Sequence, residues 1–232
     1  MRETIRDFPY NPELRRTVAK QIHFARYLDR SKRYITDRSL NEYLKSFAGL
    51  KHFLEYAKSH HQNGPILDIG SGTTRAISEL SESPLGENLT FIASVLTRPP
   101  ETGDRVSRVV STSAELLNGI QDDSIAGIIS CYGIAYSSAP ELAIRRMDQV
   151  LVSGGALKAV FYGQTPDKGS LADFHGLQTS HRFKEELFTM NYDTSSLFQG
   201  PVEVVLAIKP GGTDSISASE LLALDKNVTS AV

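Results

Sequence analysis

Cysteine is almost missing from this 232-residue chain, where Cys131 stands alone. One thiol can form neither an intrachain disulfide nor a multi-cysteine zinc site, and its solitude predicts a reducing, cytoplasmic setting. Long apolar runs are missing too. No stretch approaches the roughly 20 residues that cross a bilayer, and Met1 is followed by Arg2-Glu3-Thr4-Ile5 rather than an apolar signal core. That start predicts a protein outside the general export route. Nor is there an excess of one charge: Lys and Arg number 25 and Asp and Glu 27, a net −2, which argues against a uniformly basic coat for nucleic acid or acidic membrane. No repeat of solenoid period is present. What remains is 40% hydrophobic and 22% charged, the make-up of a globular chain that is neither collagenous, coiled-coil nor wholly disordered. A chain of 25.5 kDa buries roughly 70% of its extended surface, so one sizeable core forms without staples.

Three zones differ in character. Residues 1–62 read as a helical N-terminal cap. Asn11-Pro12-Glu13 supplies a cap, a first-turn proline and an early carboxylate, and Leu14, Val18, Ile22, Ala25 and Leu28 recur at helical spacing. A second helix starts at Ser39, which forms a capping-box pattern with Glu42, and carries Leu40, Tyr43, Phe47, Leu50, Leu54 and Ala57 on one side as far as Gly64-Pro65. Residues 210–232, rich in Gly, Ser, Ala and Thr, read as a flexible tail with little to bury.

The middle zone, 63–209, alternates strands with helices. Ile66-Leu67-Asp68-Ile69 runs straight into Gly70-Ser71-Gly72-Thr73-Thr74, and Ala76, Ile77 and Leu80 then signal a helix. Strand, glycine turn and helix in this order make the first crossover of a doubly wound sheet. Glycine is needed there because the turn is sharp and a ligand has to lie against bare backbone. Further apolar runs at 89–96, 106–110, 125–131 and 156–162 supply strands two to five. A helix opens at Pro140 and is expected to close at Gly154-Gly155. After another helix around Phe183, Leu187 and Met190, the runs 195–198 and 202–208 lie close together and predict an antiparallel hairpin on the sheet edge. The fold class is therefore α/β, a Rossmann-like sheet of seven strands ending in that hairpin.

Residues 64–209 resemble the class I methyltransferases that use S-adenosylmethionine (SAM), within the group of small methyltransferase domains. Three stretches carry the resemblance: Ile66 to Thr73; Ser113-Ala114-Glu115-Leu116-Leu117 with Asp122-Asp123-Ser124-Ile125; and Met147 to Leu157. The terminal hairpin separates that family from dinucleotide-dependent oxidoreductases. The resemblance implies SAM as cofactor, with Gly70, Ser71 and Gly72 cradling its methionine part and Asp68 orienting it. It assigns Ser94 to the ribose end and Ser113, Ala114 and Glu115 to the adenine end, with Ser130 beside them on strand four. The family usually has carboxylates where this chain has Ser94, Ser113 and Ala126. Thr74 replaces the third glycine of the turn, and Pro99-Pro100 stands where a helix would begin.

The implied reaction is methyl transfer to an acceptor, a small molecule ahead of RNA or protein. Candidate bases are His175 and His181, and Tyr132 and Tyr136 line the acceptor side. A surface histidine is the plain reading of each histidine. Cys131, on an apolar strand, reads as a small core residue. His60-His61 has no further ligand cluster beside it, so no metal site is expected.

The near-zero charge conceals a split. Residues 11–58 hold 11 basic and 5 acidic side chains with Tyr27, Tyr34, Tyr43 and Tyr56 interleaved, whereas 59–232 hold 12 basic and 20 acidic. Basic residues among aromatics could grip RNA or a phosphorylated ligand. A solvated helix face with inward tyrosines is the other reading. A methyltransferase-like protein that binds without catalysis is the competing function.

Overall fold

A computed structural model describes residues 37–47, 49–60, 64–95, 106–111, 114–137, 139–162, 171–199, 202–212 and 216–226. The helix expected over 14–28, most of the basic cap, Pro99-Pro100, Ser113 and His61 lie outside the described residues.

Helix α1 spans Leu40–Ser46. Its start is the expected capping box: Ser39 Oγ accepts from the Glu42 amide, and the Ser39 amide donates to Glu42 Oε2 at 2.9 Å. The helix does not run on as expected. Phe47 is extended at φ −103°, Gly49 takes the left-handed φ of 61°, and α2 restarts at Leu50–His60. Glycine makes such a break cheap, because only it enters that region without a Cβ penalty.

The strands are β1 (Ile66–Ile69), β2 (Phe91–Val95), β3 (Val106–Ser111), β4 (Ile125–Cys131), β5 (Leu151–Tyr162), β6 (Asp193–Gln199) and β7 (Val202–Ile208). They form one mixed sheet in the order β3-β2-β1-β4-β5-β7-β6. The first five are parallel, and β7 runs antiparallel to both β5 and β6. The remaining helices are α3 (Arg75–Glu82), α4 (Pro140–Val150), α5 (Leu171–Thr189) and α6 (Ala218–Lys226). All residues of β1, β2, β4 and β7 are buried, as strands covered on both faces must be.

Two expectations change at the ends of elements. Helix α4 stops at Val150, where the Leu151 amide still reaches the Met147 carbonyl. Residues 151–155 already belong to β5, so the Gly154-Gly155 pair lies inside that strand and not at a helix end. There Gly154 has φ 73°, and the β4–β5 register jumps from Ile125↔Leu151 to Gly127↔Ala156. The expected tail 210–232 contains α6, with Ala218, Leu221 and Leu222 buried. Its first turn is capped by Ser217, Glu220 and the Asp193 carboxylate, which accepts from the Ala218 amide at 2.6 Å. Sparse apolar residues sufficed because they fall on one face.

The expected boundary at 62 divides no core. Phe47, Leu50, Phe53, Leu54 and Ala57 pack in the same cluster as Ile66, Phe91, Ile129, Ala156 and Leu206. The described part of the cap is therefore one wall of the sheet's core.

Candidate functional site

The strand order reverses between β1 and β4, whose carboxyl ends point the same way. At such a reversal the connecting helices leave on opposite faces and open a crevice, the usual ligand position in a doubly wound sheet. The turn after β1 fills one lip. Gly70 has φ 78° and Gly72 φ 58°, and the amides of Gly70 and Ser71 both donate to the Ser94 carbonyl at 3.0 Å. The loop after β4 fills the other lip. The lips touch: a Cβ on Gly70 would stand 2.6 Å from Gly133 Cα, and one on Gly133 would stand 2.2 Å from the Ile69 carbonyl oxygen.

Asp68 lies beneath this contact, 2% exposed. The Tyr43 hydroxyl donates to its Oδ1 at 2.7 Å and the Ser71 hydroxyl to its Oδ2 at 2.6 Å. No cation stands within ion-pair distance of it among the described residues. Burial pushes its pKa up to about 6, against the opposing pull of the two hydroxyls and of the Arg38 charge. The same proximity and burial hold the Tyr43 hydroxyl well above its ordinary value, so it remains a donor.

The chain just before α1 crosses the crevice. Asp37 accepts from the Thr73 hydroxyl at 2.9 Å and lies 3.5 Å from Arg75, while the Leu40 amide donates to Glu79 at 2.7 Å. Arg38 reaches across to the end of β4, where it meets Cys131 and the face of Tyr132. Tyr132 itself has φ 64°, a region that costs an aromatic residue strain and that clusters at functional sites.

Asp68, Gly70, Ser71, Gly72, Ser130 and Tyr132 are thus brought to the edge where β1 meets β4. Ser130 acts as a latch, its Oγ donating to the Ile69 carbonyl at 2.9 Å and accepting from the Ile134 amide at 3.1 Å. Ser94 lends its carbonyl to the turn and is 1% exposed. Ala114 and Glu115 are buried beyond β3, with Glu115 Oε1 accepting from the Ser137 hydroxyl at 2.6 Å. Ser113 lies outside the described residues. His175 belongs to the early part of α5, one turn before Thr179, whose hydroxyl donates to the Ala135 carbonyl in the loop after β4. His181 lies apart from this group. Its side chain is 75% exposed and stands 3.7 Å from Glu185 one turn along α5. Cys131 is buried, and burial pushes its thiol up to about 12, so it stays neutral. Among the described residues no cluster of three metal-ligating side chains occurs, and no helix is long and apolar enough to cross a membrane.

Sequence reasoning missed Arg38 and the tie between Tyr43 and Asp68. Tyr43 falls at core spacing on its helix, and only the fold shows that its hydroxyl meets a carboxylate 25 positions away.

No family model matches the sequence, and no curated protein matches it. Solved structures do match in fold. The plantazolicin methyltransferase BpumL in complex with S-adenosylhomocysteine (SAH) aligns over 90% of this chain and 99% of its own, with 12% identity and a TM-score of 0.56. The Burkholderia thailandensis 1,6-didemethyltoxoflavin-N1-methyltransferase, with 1,6-didemethyltoxoflavin and SAH bound, aligns over 87% and 91% at 18% identity and a TM-score of 0.52. The [4+2]-cyclase SpnF aligns over 70% and 81% at 13% identity, also with a TM-score of 0.52. The chain has the class I SAM-dependent methyltransferase fold.

Proposed function

We propose that this protein is a SAM-dependent methyltransferase acting on a small-molecule acceptor. One observation carries the reading: a glycine turn at the strand-order reversal stands over a buried carboxylate that is satisfied by two neutral hydroxyls and has no cation within ion-pair distance among the described residues. A buried charge without a counter-charge is costly, and a cationic ligand at this edge would offset that cost. SAM fits, since it carries both an ammonium and a sulfonium, and it supplies a methyl group already activated by the positive sulfur.

The chain's own part is to bind, orient and deprotonate. The Gly70–Gly72 backbone and Asp68 hold the amino-acid end, and Ser71 keeps the Asp68 carboxylate aimed. Ser94, with Ser113, Ala114 and Glu115, covers the adenosine end. Tyr132 stands on the acceptor side and His175 is the candidate base that the resemblance assigns there, where holding the acceptor in line contributes more than any acid–base step. An acceptor hydroxyl or amine would lose its proton to the His175 ring nitrogen. The toxoflavin enzyme, solved with 1,6-didemethyltoxoflavin bound, supports a small-molecule acceptor. The tyrosines and basic residues of 11–58 leave RNA or a phosphorylated ligand as an alternative acceptor.

A second reading, a binding protein without methyl transfer, is favoured by Ser94. Exchanging one carboxylate contact for a serine hydroxyl costs on the order of 1 to 2 kcal/mol, or about five- to thirtyfold in affinity. The SpnF match shows that this fold is not confined to proteins named methyltransferases.

Titration calorimetry with SAM and SAH tests the proposal. Saturable heat is expected from both, and Gly70→Asp abolishes it because the turn cannot hold a side chain against Gly133. No heat at millimolar SAM sinks the reading, and binding that survives Gly70→Asp puts the ligand elsewhere.

A further inference from the structure

Arg38 occupies a peculiar place for a guanidinium. Arginine forks ordinarily close on carboxylates, yet among the described residues none stands within ion-pair distance of Arg38. Its Nη1 donates to Cys131 Sγ at 2.8 Å and to the Cys131 carbonyl at 3.4 Å. Its Cζ lies 4.6 Å from the Tyr132 ring centroid. A neutral thiol is a weak acceptor, so sulfur alone gives little reason for the charge to be there. The groups it meets are nevertheless electron-rich: the ring face, the sulfur and the carbonyl, with the buried Asp68 carboxylate and the exposed Glu42 carboxylate near enough to feel its charge. Aromatic faces and anionic groups together are how proteins receive onium ions. The ring is offered by a residue held at positive φ, on the lip of the same crevice.

We propose that Tyr132, Cys131 and Asp68 form a cation seat, that Arg38 is its resident cation, and that the sulfonium of SAM takes the seat by displacing Arg38. The inference rests on the SAM reading for its ligand, while the seat itself is a property of this chain. Arg38 then acts as an intramolecular competitor. It neutralises the seat when no ligand is present and keeps its place beside a ligand without a positive sulfur, which brings no charge to replace it.

Two measurements test this. Calorimetry compares SAM with SAH, which keeps the ammonium and lacks the sulfonium, on the wild type, Arg38→Met and Arg38→Lys. Removing the competitor tightens SAM about threefold to tenfold in Arg38→Met, changes SAH by less than about twofold, and leaves Arg38→Lys near the wild type. Equal gains for both ligands, or a loss of SAM affinity in Arg38→Met, overturn the proposal. Thermal melting with trimethylsulfonium chloride against equal sodium chloride is independent of SAM: the sulfonium salt raises the melting point of Arg38→Met and not of the wild type. Identical curves in the two salts show that there is no seat. If SAM fails to bind every variant while trimethylsulfonium stabilises Arg38→Met, the methyltransferase reading falls and the seat stands.

Discussion

Three carboxylates are buried towards the carboxyl edge of the sheet among the described residues, Asp68, Glu115 and Glu203, and the first and last are treated in opposite ways. Glu203, at the start of β7 opposite Phe161, is 2% exposed. The Ser180 hydroxyl donates to its Oε2 at 2.6 Å, and the Lys184 ammonium forms an ion pair with its Oε1. Both partners come from α5, so the cluster fastens that helix to the sheet and is complete in itself. Asp68, on β1, is equally buried yet has two hydroxyls and no ammonium. One carboxylate is neutralised by an ion pair, and the other has only two hydroxyls and the more distant charge of Arg38 to set against its desolvation. A protein retains such a cost only where something else offsets it, and natural chains break local rules mainly at functional sites.

The largest effect is expected from Lys184→Met. Glu203 would lose its counter-charge while still buried, and since the Lys184 side chain is 34% exposed the cost is expected at the lower end of the about 3 to 5 kcal/mol for breaking a buried pair. Urea unfolding at pH 7.5 measures it. A cost below about 1 kcal/mol would mean that Glu203 never depended on Lys184, and the contrast between the carboxylates would collapse.

Asp68→Asn should act with the opposite sign. The folded pKa of Asp68 lies above its unfolded value, so the folded state binds the proton more tightly. Wild-type stability therefore falls as the pH rises from about 4 through about 6, and stays lower above that. Asparagine removes the charge, raising stability at pH 7.5 by on the order of 1 to 3 kcal/mol and flattening this part of the pH profile, while SAM binding weakens. Unfolding curves at pH 5 and pH 7.5 for both proteins decide it. A variant less stable than the wild type at pH 7.5 would show that the carboxylate is not under strain.

The smallest effect is expected from Tyr43→Phe, which removes one hydroxyl and leaves Asp68 Oδ1 without its donor. A loss of about 1 to 2 kcal/mol at pH 7.5 is expected, shrinking at pH 5 where Asp68 is protonated. An equal loss at both pH values would locate the effect in packing against Phe47, whose ring centroid lies 4.8 Å away.

The same contrast explains what could be read from the sequence. β1 and its turn were legible because four apolar-run residues followed by Gly-Ser-Gly leave no other local solution. The hairpin was legible from two apolar runs set too close for a helix between them. The Gly154-Gly155 pair misled because glycine ends helices as readily as it bends strands, and the choice was made by Lys209, whose amide and carbonyl pair with Gly155 and Gly154 across the sheet. Helix α6 escaped because Leu221 and Leu222 lie among serines and alanines, and their burial depends on a cap supplied by Asp193 on another strand. At the candidate site the glycines and Asp68 were visible as a motif. Arg38 was not, because its partner Cys131 lies 93 positions away and a thiol beside an arginine follows no local pattern. His181, with its side chain 75% exposed, stands as a surface histidine would, which is the plain reading of its place in the chain.

The bare contact of Gly70 with Gly133 has a mechanical consequence. With no side chain between them, the two backbones mesh like teeth, and neither turn has slack to move alone. A ligand that pushed the turn after β1 would pass its displacement to the loop that carries Tyr132. Cofactor arrival and the shape of the opposite wall would then be geared together by two missing methyl groups.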